Sequence, residues 1–330
     1  MTLELQHGGA LDTMRAAFPE APEPWVDLST GVNPWPYPHS ETSRDALARL
    51  PTQETYAAFR SAMAAAIGAP SSSVLPAPGS EMLIRLLPDV LRLDRIAILS
   101  PTYGDYGVAW RRTPATVMET DDPLAMAGCV DAVIVCNPNN PDGRIFDTHA
   151  LDLARQNLAA RGGWLIVDEA YADLAPELSL APQGGAEGLV LLRSFGKFFG
   201  LAGLRLGALI APQGLRDAMA ERLGVWPVSG AALEIGARAY ADAAWRRDMR
   251  GRLKVAAARA DVRLEACGLK PVGGTDLYRF VQVADAHGVF DRLARAGVYV
   301  RRFDWSSTHL RIGLPATQEA FDRLEAALSP

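Results

Sequence analysis

Short apolar segments bounded by turn residues alternate with helical patterns through the middle of the chain. Continuous apolar runs predict strands at 95–99, 131–136, 163–167, 188–193 and 205–211. Apolar positions that recur every three to four residues predict helices at 54–67, 80–92, 147–161 and 243–267, the second with a kink at Pro88. Strands that are apolar along their whole length are typical of a parallel sheet with both faces covered. The pattern therefore predicts an α/β fold with a mostly parallel sheet flanked by helices.

The two ends of the chain depart from this alternation. The first 40 residues are rich in proline, at positions 19, 22, 24, 34, 36 and 38, and predict an extended, irregular arm. The helix predicted at 243–267 leads into a second group of strands and helices, and we expect the arm to pack with this C-terminal part. The predicted organisation is a large domain at 38–240 and a smaller α+β domain formed by 1–37 and 241–330.

Composition excludes several classes of function. The net charge of the 330 residues is -5 and no basic stripe is present, which excludes a dedicated nucleic-acid-binding face. No apolar run reaches bilayer length, and the first nine residues lack the basic start and apolar core of a signal peptide. Cys129, Cys136 and Cys267 are far apart, which fits no metal site and favours free, buried thiols in a reducing compartment. We therefore expect a cytoplasmic protein that binds no metal, membrane or nucleic acid.

A lysine in apolar surroundings follows one of the predicted strands. In parallel α/β sheets, ligands bind at the carboxyl ends of the strands. Lys197 comes after the strand at 188–193 and lies among Phe195, Phe198 and Phe199. Such surroundings disfavour the charged ammonium and lower its pKa, which makes the amine available to attack an aldehyde. The alternative is an exposed lysine whose stem covers apolar surface.

Two groups of residues are suited to bind a phosphate. Ser194 and Arg205 flank Lys197 and supply a hydroxyl and a guanidinium that can bind one phosphate between them. Gly79-Ser80-Glu81 begins the helix predicted at 80–92, where free backbone N–H groups form an anion site. The alternative role for Ser80 is that of a plain helix cap.

The remaining polar residues suit a cofactor with an aromatic ring nitrogen. Asp168 directly follows the strand at 163–167, where an unpaired carboxylate is costly to bury. A protonated pyridine nitrogen would be its cationic partner and would keep the ring an electron sink, whereas capping of a following helix is the alternative role. Asn140 and Tyr171 can donate hydrogen bonds to a phenolic oxygen, and Tyr103 can stack on the ring or pack in the core. These groups together predict pyridoxal 5'-phosphate (PLP) as the cofactor.

The segments 137–143, 168–171 and 194–197, with Arg205 beyond them, resemble the fold-type I PLP-dependent enzymes, the class I and II aminotransferase superfamily. The similarity extends over nearly the whole chain and implies the PLP-dependent transferase fold. It implies that Lys197 is the Schiff-base lysine and that Asp168 pairs with the pyridine nitrogen. It also implies that Asn140 and Tyr171 bind the phenolic oxygen, that Ser80, Ser194 and Arg205 bind the phosphate, and that Arg311 binds a substrate carboxylate.

The N-terminal arm carries a more specific resemblance. His7-Gly8-Gly9 and Asp27–Pro34 are similar to the threonine-phosphate decarboxylases of cobalamin biosynthesis rather than to the histidinol-phosphate aminotransferases. This implies a homodimer that decarboxylates L-threonine O-3-phosphate to (R)-1-aminopropan-2-ol phosphate, with Lys197, Asp168 and Tyr171 as catalytic residues. A purely structural arm would leave the subfamily undecided, and an aminotransferase of the histidinol-phosphate type is then the alternative.

The residues that bind the substrate can be assigned to its phosphate or to its carboxylate. The bond at Cα that breaks must stand perpendicular to the plane of the PLP ring. A decarboxylase must therefore bind its substrate through the phosphate and leave the carboxylate without a contact that would hold it in that plane. His7, Asn33, Arg301 and Arg311 are the candidates for substrate binding, although Arg311 would hold the carboxylate in an aminotransferase. For Arg301 the alternative is a solvated surface pair with the next arginine. Leu50-Pro51 stands where relatives often have Tyr-Pro, so the resemblance supplies no cross-subunit hydroxyl there.

Overall fold

The computed structural model describes residues 7–39 and 42–328. The chain divides into two compact units. The larger unit is formed by Tyr37–Asn140 and Arg144–Arg247. The smaller unit is formed by the described residues up to Pro36, by Pro141–Gly143 and by the described residues from Asp248 onward.

Strands and helices alternate through most of the described chain. The strands are β1 (Val26–Leu28), β2 (Val74–Ala77), β3 (Arg95–Leu99), β4 (Thr116–Thr120), β5 (Ala132–Cys136), β6 (Trp164–Asp168), β7 (Leu189–Ser194), β8 (Gly207–Ile210), β9 (Lys270–Thr275), β10 (Tyr278–Gln282), β11 (Val298–Phe303) and β12 (Ser306–Gly313). The helices are α1 (Leu11–Ala17), α2 (Arg44–Ala48), α3 (Gln53–Ile67), α4 (Ser80–Leu91), α5 (Asp105–Trp110), α6 (Thr148–Ala159), α7 (Phe195–Phe198), α8 (Gln213–Leu223), α9 (Gly230–Ala241), α10 (Ala243–Ala266), α11 (Ala286–Arg295) and α12 (Gln318–Leu328). All five predicted strands and all four predicted helices are confirmed to within two residues at each end.

The larger unit contains a seven-stranded sheet in the order β2-β8-β7-β6-β5-β3-β4. Only β8 runs antiparallel to its neighbours, and the other pairs are parallel, which confirms the predicted mostly parallel sheet. The two edge strands β2 and β4 escaped prediction because β4 is half-exposed and β2 contains Pro76, a residue that sheets tolerate at their edges.

Central strands and helix α4 form the core that supports the sheet. Strands β5 and β6 are buried almost throughout, and α4 contributes Leu83, Ile84 and Leu87 to the core on one face of the sheet. Each such side chain contributes about 1.5–3 kcal/mol when fully buried. Pro88 lies inside α4, in the turn before its end. The result is a rigid base under the strand ends.

Strand register brings several chain segments to one edge of this sheet. Cys136 at the end of β5 pairs with Asp168 at the end of β6. Ser194 at the end of β7 pairs with Gly207 at the start of β8, and Ala77 at the end of β2 pairs with the same Gly207. Because β8 is reversed, its first residues lie where the other strands end.

The smaller unit contains a five-stranded sheet in the order β1-β11-β12-β10-β9, in which β1 is parallel to β11 and the other pairs are antiparallel. The predicted irregular arm is corrected here, because it forms helix α1 and strand β1. Met14, Trp25 and Leu28 of the arm are buried in the core of this unit. They lie in three different stretches, namely α1, the connection before β1 and β1 itself, so no single periodic pattern joins them in the sequence.

Two other expectations differ from the structure. Residues 141–143 leave the predicted range 38–240 and join the smaller unit, where the Gly274 amide donates to the Asp142 carbonyl at 2.8 Å. Cys129 is exposed rather than buried, because it lies in the surface connection that precedes β5. Cys136 is buried and Cys267 half-buried, and none of the three forms a disulfide. None of the described helices has the length and apolar character needed to cross a membrane.

Candidate active site

A cavity of about 190 Å³ lies at the edge of the large sheet where the parallel strands end. Its lining includes all ten residues that sequence reasoning assigned to the cofactor, namely Gly79, Ser80, Glu81, Tyr103, Asn140, Asp168, Tyr171, Ser194, Lys197 and Arg205. Cys136 and Ala170 also line it, and neither was predicted. The structure thus brings the predicted residues together, while their individual roles stay predictions.

Lys197 lies in the short helix α7, half-buried beside the cavity, so the reading of a fully exposed lysine does not hold. Phe195, Phe198 and Phe199 around it are fully buried, and Phe195 stacks on Phe199 with ring centroids 4.4 Å apart. The chain has only three lysines, and Lys197 is the one that belongs to the larger unit. A single primary amine is therefore fixed at this cavity by an aromatic support.

The start of α4 forms an anion site with Arg205. Gly79 is the residue that precedes the helix, with φ +84°, and Ser80 is the first helical residue. The alternative of a cap by the Ser80 side chain is therefore wrong, and the first N–H groups of α4 remain available to a ligand. A Cβ atom on Gly79 would lie 2.8 Å from Arg205 Nη2, so only glycine allows the guanidinium to approach this turn. With Ser194 these groups suit a phosphate.

Asp168 is buried at the end of β6 and its carboxylate faces the cavity. Its Oδ1 accepts a hydrogen bond of 3.0 Å from the Ala170 amide, and the chain continues as a turn, so the helix-cap alternative is wrong. Burial raises the pKa of Asp168 to about 6, against the lowering effects of the Tyr106 hydroxyl, the Ala170 amide and the Lys197 charge. A cation in the cavity would favour the ionised form of this carboxyl.

Tyr106 is a residue of the site whose role sequence reasoning missed. It is fully buried on α5, and burial followed by the charge of Asp168 raises the pKa of its phenol well above the usual range. Its hydroxyl faces Asp168 but makes no hydrogen bond of standard geometry with any residue of 7–39 or 42–328. The only signal in the sequence was its place three residues after Tyr103.

A buried charged cluster of Glu169, Asp173 and Arg193 lies directly behind the cavity wall. Arg193 Nη1 donates to Glu169 Oε2 at 3.0 Å, and Nη2 donates to Asp173 Oδ1. Glu169 also accepts from the Ser179 hydroxyl at 2.6 Å and from the Leu180 amide at 2.8 Å. Glu169 follows Asp168 and Arg193 precedes Ser194 in the chain, so the cluster ties two cavity-lining segments together. Sequence reasoning did not detect it.

These observations fit PLP. The Lys197 amine suits its aldehyde, the α4 turn with Ser194 and Arg205 suits its phosphate, and the buried Asp168 suits a protonated ring nitrogen. The hydroxyl of Tyr171 and the amide of Asn140 line the same cavity and suit the phenolic oxygen.

Comparison with known proteins assigns the family. The family described as aminotransferase class I and II matches residues 23–328. The chain belongs to this family. Two relatives named threonine-phosphate decarboxylase are similar over the full length: one from Pseudomonas aeruginosa is 39% identical over 98% of this chain and 97% of its own, and one from a Sinorhizobium species is 38% identical over 100% and 99%. Both the predicted superfamily and its predicted subfamily resemblance are thereby confirmed.

Solved structures confirm the predicted fold of this aminotransferase-family chain. The histidinol-phosphate aminotransferase of Sinorhizobium meliloti, solved in complex with pyridoxal-5'-phosphate, superposes with a TM-score of 0.80. The match covers 96% of this chain and 93% of that one at 18% identity, a level that supports the shared fold alone.

The four residues predicted to bind the substrate all lie in the smaller unit, and they are His7, Asn33, Arg301 and Arg311. Arg301 and Arg311 are directly opposite each other on β11 and β12. Arg311 is buried, with Nη2 donating to the Ser29 carbonyl of the arm at 2.7 Å. Burial and the charge of Arg311 lower the pKa of Arg301. Two like charges facing each other across a strand pair are unfavourable by themselves and favour an anion between them.

The other two candidates occupy the arm. His7 is exposed, and its backbone carbonyl accepts a hydrogen bond of 3.2 Å from the Tyr299 hydroxyl on β11. Asn33 is buried, and its side-chain oxygen accepts from the Trp35 amide at 2.9 Å. The arm is thus attached to the strand that carries Arg301. Arg301 is half-buried, so it is not the solvated surface residue of the alternative interpretation.

Proposed function

We propose that this protein is a PLP-dependent lyase that decarboxylates L-threonine O-3-phosphate to (R)-1-aminopropan-2-ol phosphate. The observation that carries the proposal is the convergence of Lys197, Asp168 and an anion site in one cavity. It is joined to full-length similarity to two proteins named threonine-phosphate decarboxylase. The facing arginines of the smaller unit supply a cationic site that suits a phosphorylated substrate.

PLP, when bound, supplies an electron sink for the electron pair that stays on Cα after the loss of CO2. Asp168 holds the proton on the ring nitrogen, since the cation opposite favours the ionised carboxylate. Lys197 would offer its amine to the aldehyde and, as an ammonium, would deliver a proton to the substrate Cα. Tyr171 and Asn140 donate hydrogen bonds to the phenolic oxygen, while Ser80, Ser194 and Arg205 hold the phosphate.

Substrate orientation decides which bond at Cα breaks. A decarboxylase has to keep the bond between Cα and the carboxylate perpendicular to the ring of PLP. The enzyme therefore has to bind the substrate through its second anionic group, the phosphate. Arg301 and Arg311 provide charge-assisted contacts for the phosphate, with His7 and Asn33 of the arm beside the strand that carries Arg301. If Arg311 gripped the carboxylate instead, the same site would favour transamination.

The biological setting completes the proposal. The product is the linker of the cobalamin side chain, and we assign the enzyme to cobalamin biosynthesis in the cytoplasm. We further propose a homodimer, and a domain division in which the arm and the C-terminal segment form the small domain.

A product assay tests the proposal. PLP-loaded protein is incubated with L-threonine O-3-phosphate without any oxo-acid, and CO2 and the amino-alcohol phosphate are measured. Equal amounts of both products are expected. Turnover of histidinol phosphate that depends on an oxo-acid acceptor, without CO2 release, would contradict the decarboxylase assignment.

The lysine assignment has its own test. Borohydride reduction of the PLP-loaded protein followed by peptide mapping should label Lys197 and leave Lys254 and Lys270 unlabelled. Lys197→Ala should lose the label and the activity, whereas Lys254→Ala, a change at an exposed lysine, should keep both. Labelling of another lysine in the wild-type protein would refute the assignment.

A further inference from the structure

The hydroxyl of Tyr103 is anchored at the mouth of the cavity. It donates a hydrogen bond of 3.0 Å to Glu81 Oε2, and both residues line the cavity. Arg85 lies one turn further along α4, where Nε donates to Glu81 Oε1 at 2.5 Å. Arg85 Nη2 donates to Asp105 Oδ1 at 3.1 Å. One guanidinium therefore bridges two carboxylates beside the tyrosine.

The tyrosine remains a hydrogen-bond donor at neutral pH. Burial, followed by the neighbouring carboxylates of Asp105 and Glu81, raises the pKa of the Tyr103 phenol far above its usual range. The phenol therefore keeps its proton and donates it to an acceptor, here the Glu81 carboxylate, and carboxylates are among the strongest acceptors that side chains offer.

Anchoring the hydroxyl restricts the ring. The phenolic oxygen lies on the axis about which the second torsion turns the ring, so anchoring it fixes the direction of that axis and, with it, the first torsion. The O–H bond of a phenol prefers the plane of the ring, so the direction of its acceptor also favours one ring orientation. Asp105 is buried, with 6% of its side chain exposed, and it begins α5 two residues after Tyr103. Arg85 and Glu81 belong to α4, the helix whose first turn forms the phosphate site. The position of the ring and the phosphate site therefore both depend on α4.

We propose that Glu81, Arg85 and Asp105, here called the tyrosine clamp, are positioning residues that hold the Tyr103 ring as a stacking platform for the cofactor. The inference rests on the proposed binding of PLP in this cavity. It assigns Glu81 to Tyr103 rather than to the cofactor, and it assigns the Tyr103 hydroxyl to the clamp rather than to proton transfer. A carboxylate beside a phosphate site is then explained, because Arg85 offsets its charge.

A double-mutant cycle on PLP affinity tests the clamp. Apo-protein is titrated with PLP, and Kd is read from absorbance and from the circular dichroism of the bound ring. Glu81→Ala removes the acceptor, and Tyr103→Phe removes the donor but keeps the ring. Each should weaken PLP binding about tenfold, as expected for a hydrogen bond to a charged group. The double variant should also be weakened only about tenfold, because both changes remove the same interaction.

The controls separate this inference from the proposed function. Glu119→Ala breaks an exposed ion pair with Arg111 elsewhere in the larger unit and should leave Kd unchanged. If Glu81→Ala does not fold, Glu81→Gln replaces it, since the amide keeps the volume and an acceptor oxygen, and it should weaken binding about threefold. A double variant weakened about hundredfold, or single variants that bind like wild type, would overturn the clamp. Wild-type protein that binds no PLP would instead overturn the proposed function.

Discussion

Replacing Asp168 by asparagine should stabilise the protein without cofactor. Burial raises the pKa of Asp168 to about 6, from an ordinary value of 3.8. Asparagine has nearly the same shape, is neutral, and keeps the oxygen that accepts from the Ala170 amide. The substitution therefore removes the cost of burying a charge while preserving the hydrogen bond.

The pKa difference gives both the sign and the size of the effect. Between pH 4 and 6 the folded state binds more protons than the unfolded state, so stability falls as the pH rises through this window. Above pH 6 the full cost is present, and raising the pKa from 3.8 to about 6 corresponds to about 3 kcal/mol. Below pH 3.8 the carboxyl is protonated in both states, and the cost disappears.

Urea unfolding of the apo-protein at pH 7 and at pH 3.5 measures this effect. Asp168→Asn should be more stable than wild type by up to about 3 kcal/mol at pH 7 and about equal to it at pH 3.5. Asp131→Asn is the matched control with the opposite sign, because hydrogen bonds and charge from Arg95 outweigh burial and lower the pKa of Asp131. An Asp168→Asn apo-protein that is no more stable than wild type at pH 7 would refute the reasoning.

Three further predictions concern the buried charged cluster, the turn before α4 and the facing arginines. Arg193→Met should lower the free energy of unfolding by about 3–5 kcal/mol, since it leaves Glu169 and Asp173 buried without their shared cation. Urea unfolding measures the loss, and Arg95→Met, a change at an exposed ion pair, is the control that should cost under about 1 kcal/mol. Gly79→Ala should weaken PLP binding at least about tenfold, since the φ of Gly79 is +84° and the new Cβ would displace Arg205. Fluorescence titration measures the affinity, and Gly214→Ala is the control, because a Cβ at Gly214 would meet no other atom within 4 Å. Arg311→Lys should raise KM for L-threonine O-3-phosphate about tenfold or more without weakening PLP binding, since lysine cannot make fork contacts; an unchanged KM would remove Arg311 from the substrate site.

The cofactor residues were predictable because they depend on topology. Each follows a strand or begins a helix, and parallel strands bring such positions to one edge whatever the details of packing. Lys197, Asp168 and Ser194 could therefore be grouped from the order of segments along the chain. The family resemblance then added Asn140 and Tyr171, which spacing by itself left with only a general role.

The interactions that sequence reasoning missed are those between side chains distant in the chain. Arg193 and Glu169 are 24 residues apart, and nothing in either local pattern indicates that they meet. Arg85 and Asp105 are 20 residues apart and read as ordinary surface charges. The arm was missed for another reason, since β1 has only three residues and is defined by its pairing with β11. Local periodicity carries no information about such long-range contacts.

The reversed direction of β8 brings Lys197 and Arg205, which lie between β7 and β8, to the same edge of the sheet. The chain leaves β7, turns over the cavity and re-enters as β8 at the same edge, and this short return carries both Lys197 and Arg205. A separation of eight residues thus spans the distance between the Lys197 amine and the Arg205 guanidinium, which line one cavity. Lengthening this return by a few residues would change the spacing of these two groups, whereas loops on the opposite edge could grow without that consequence.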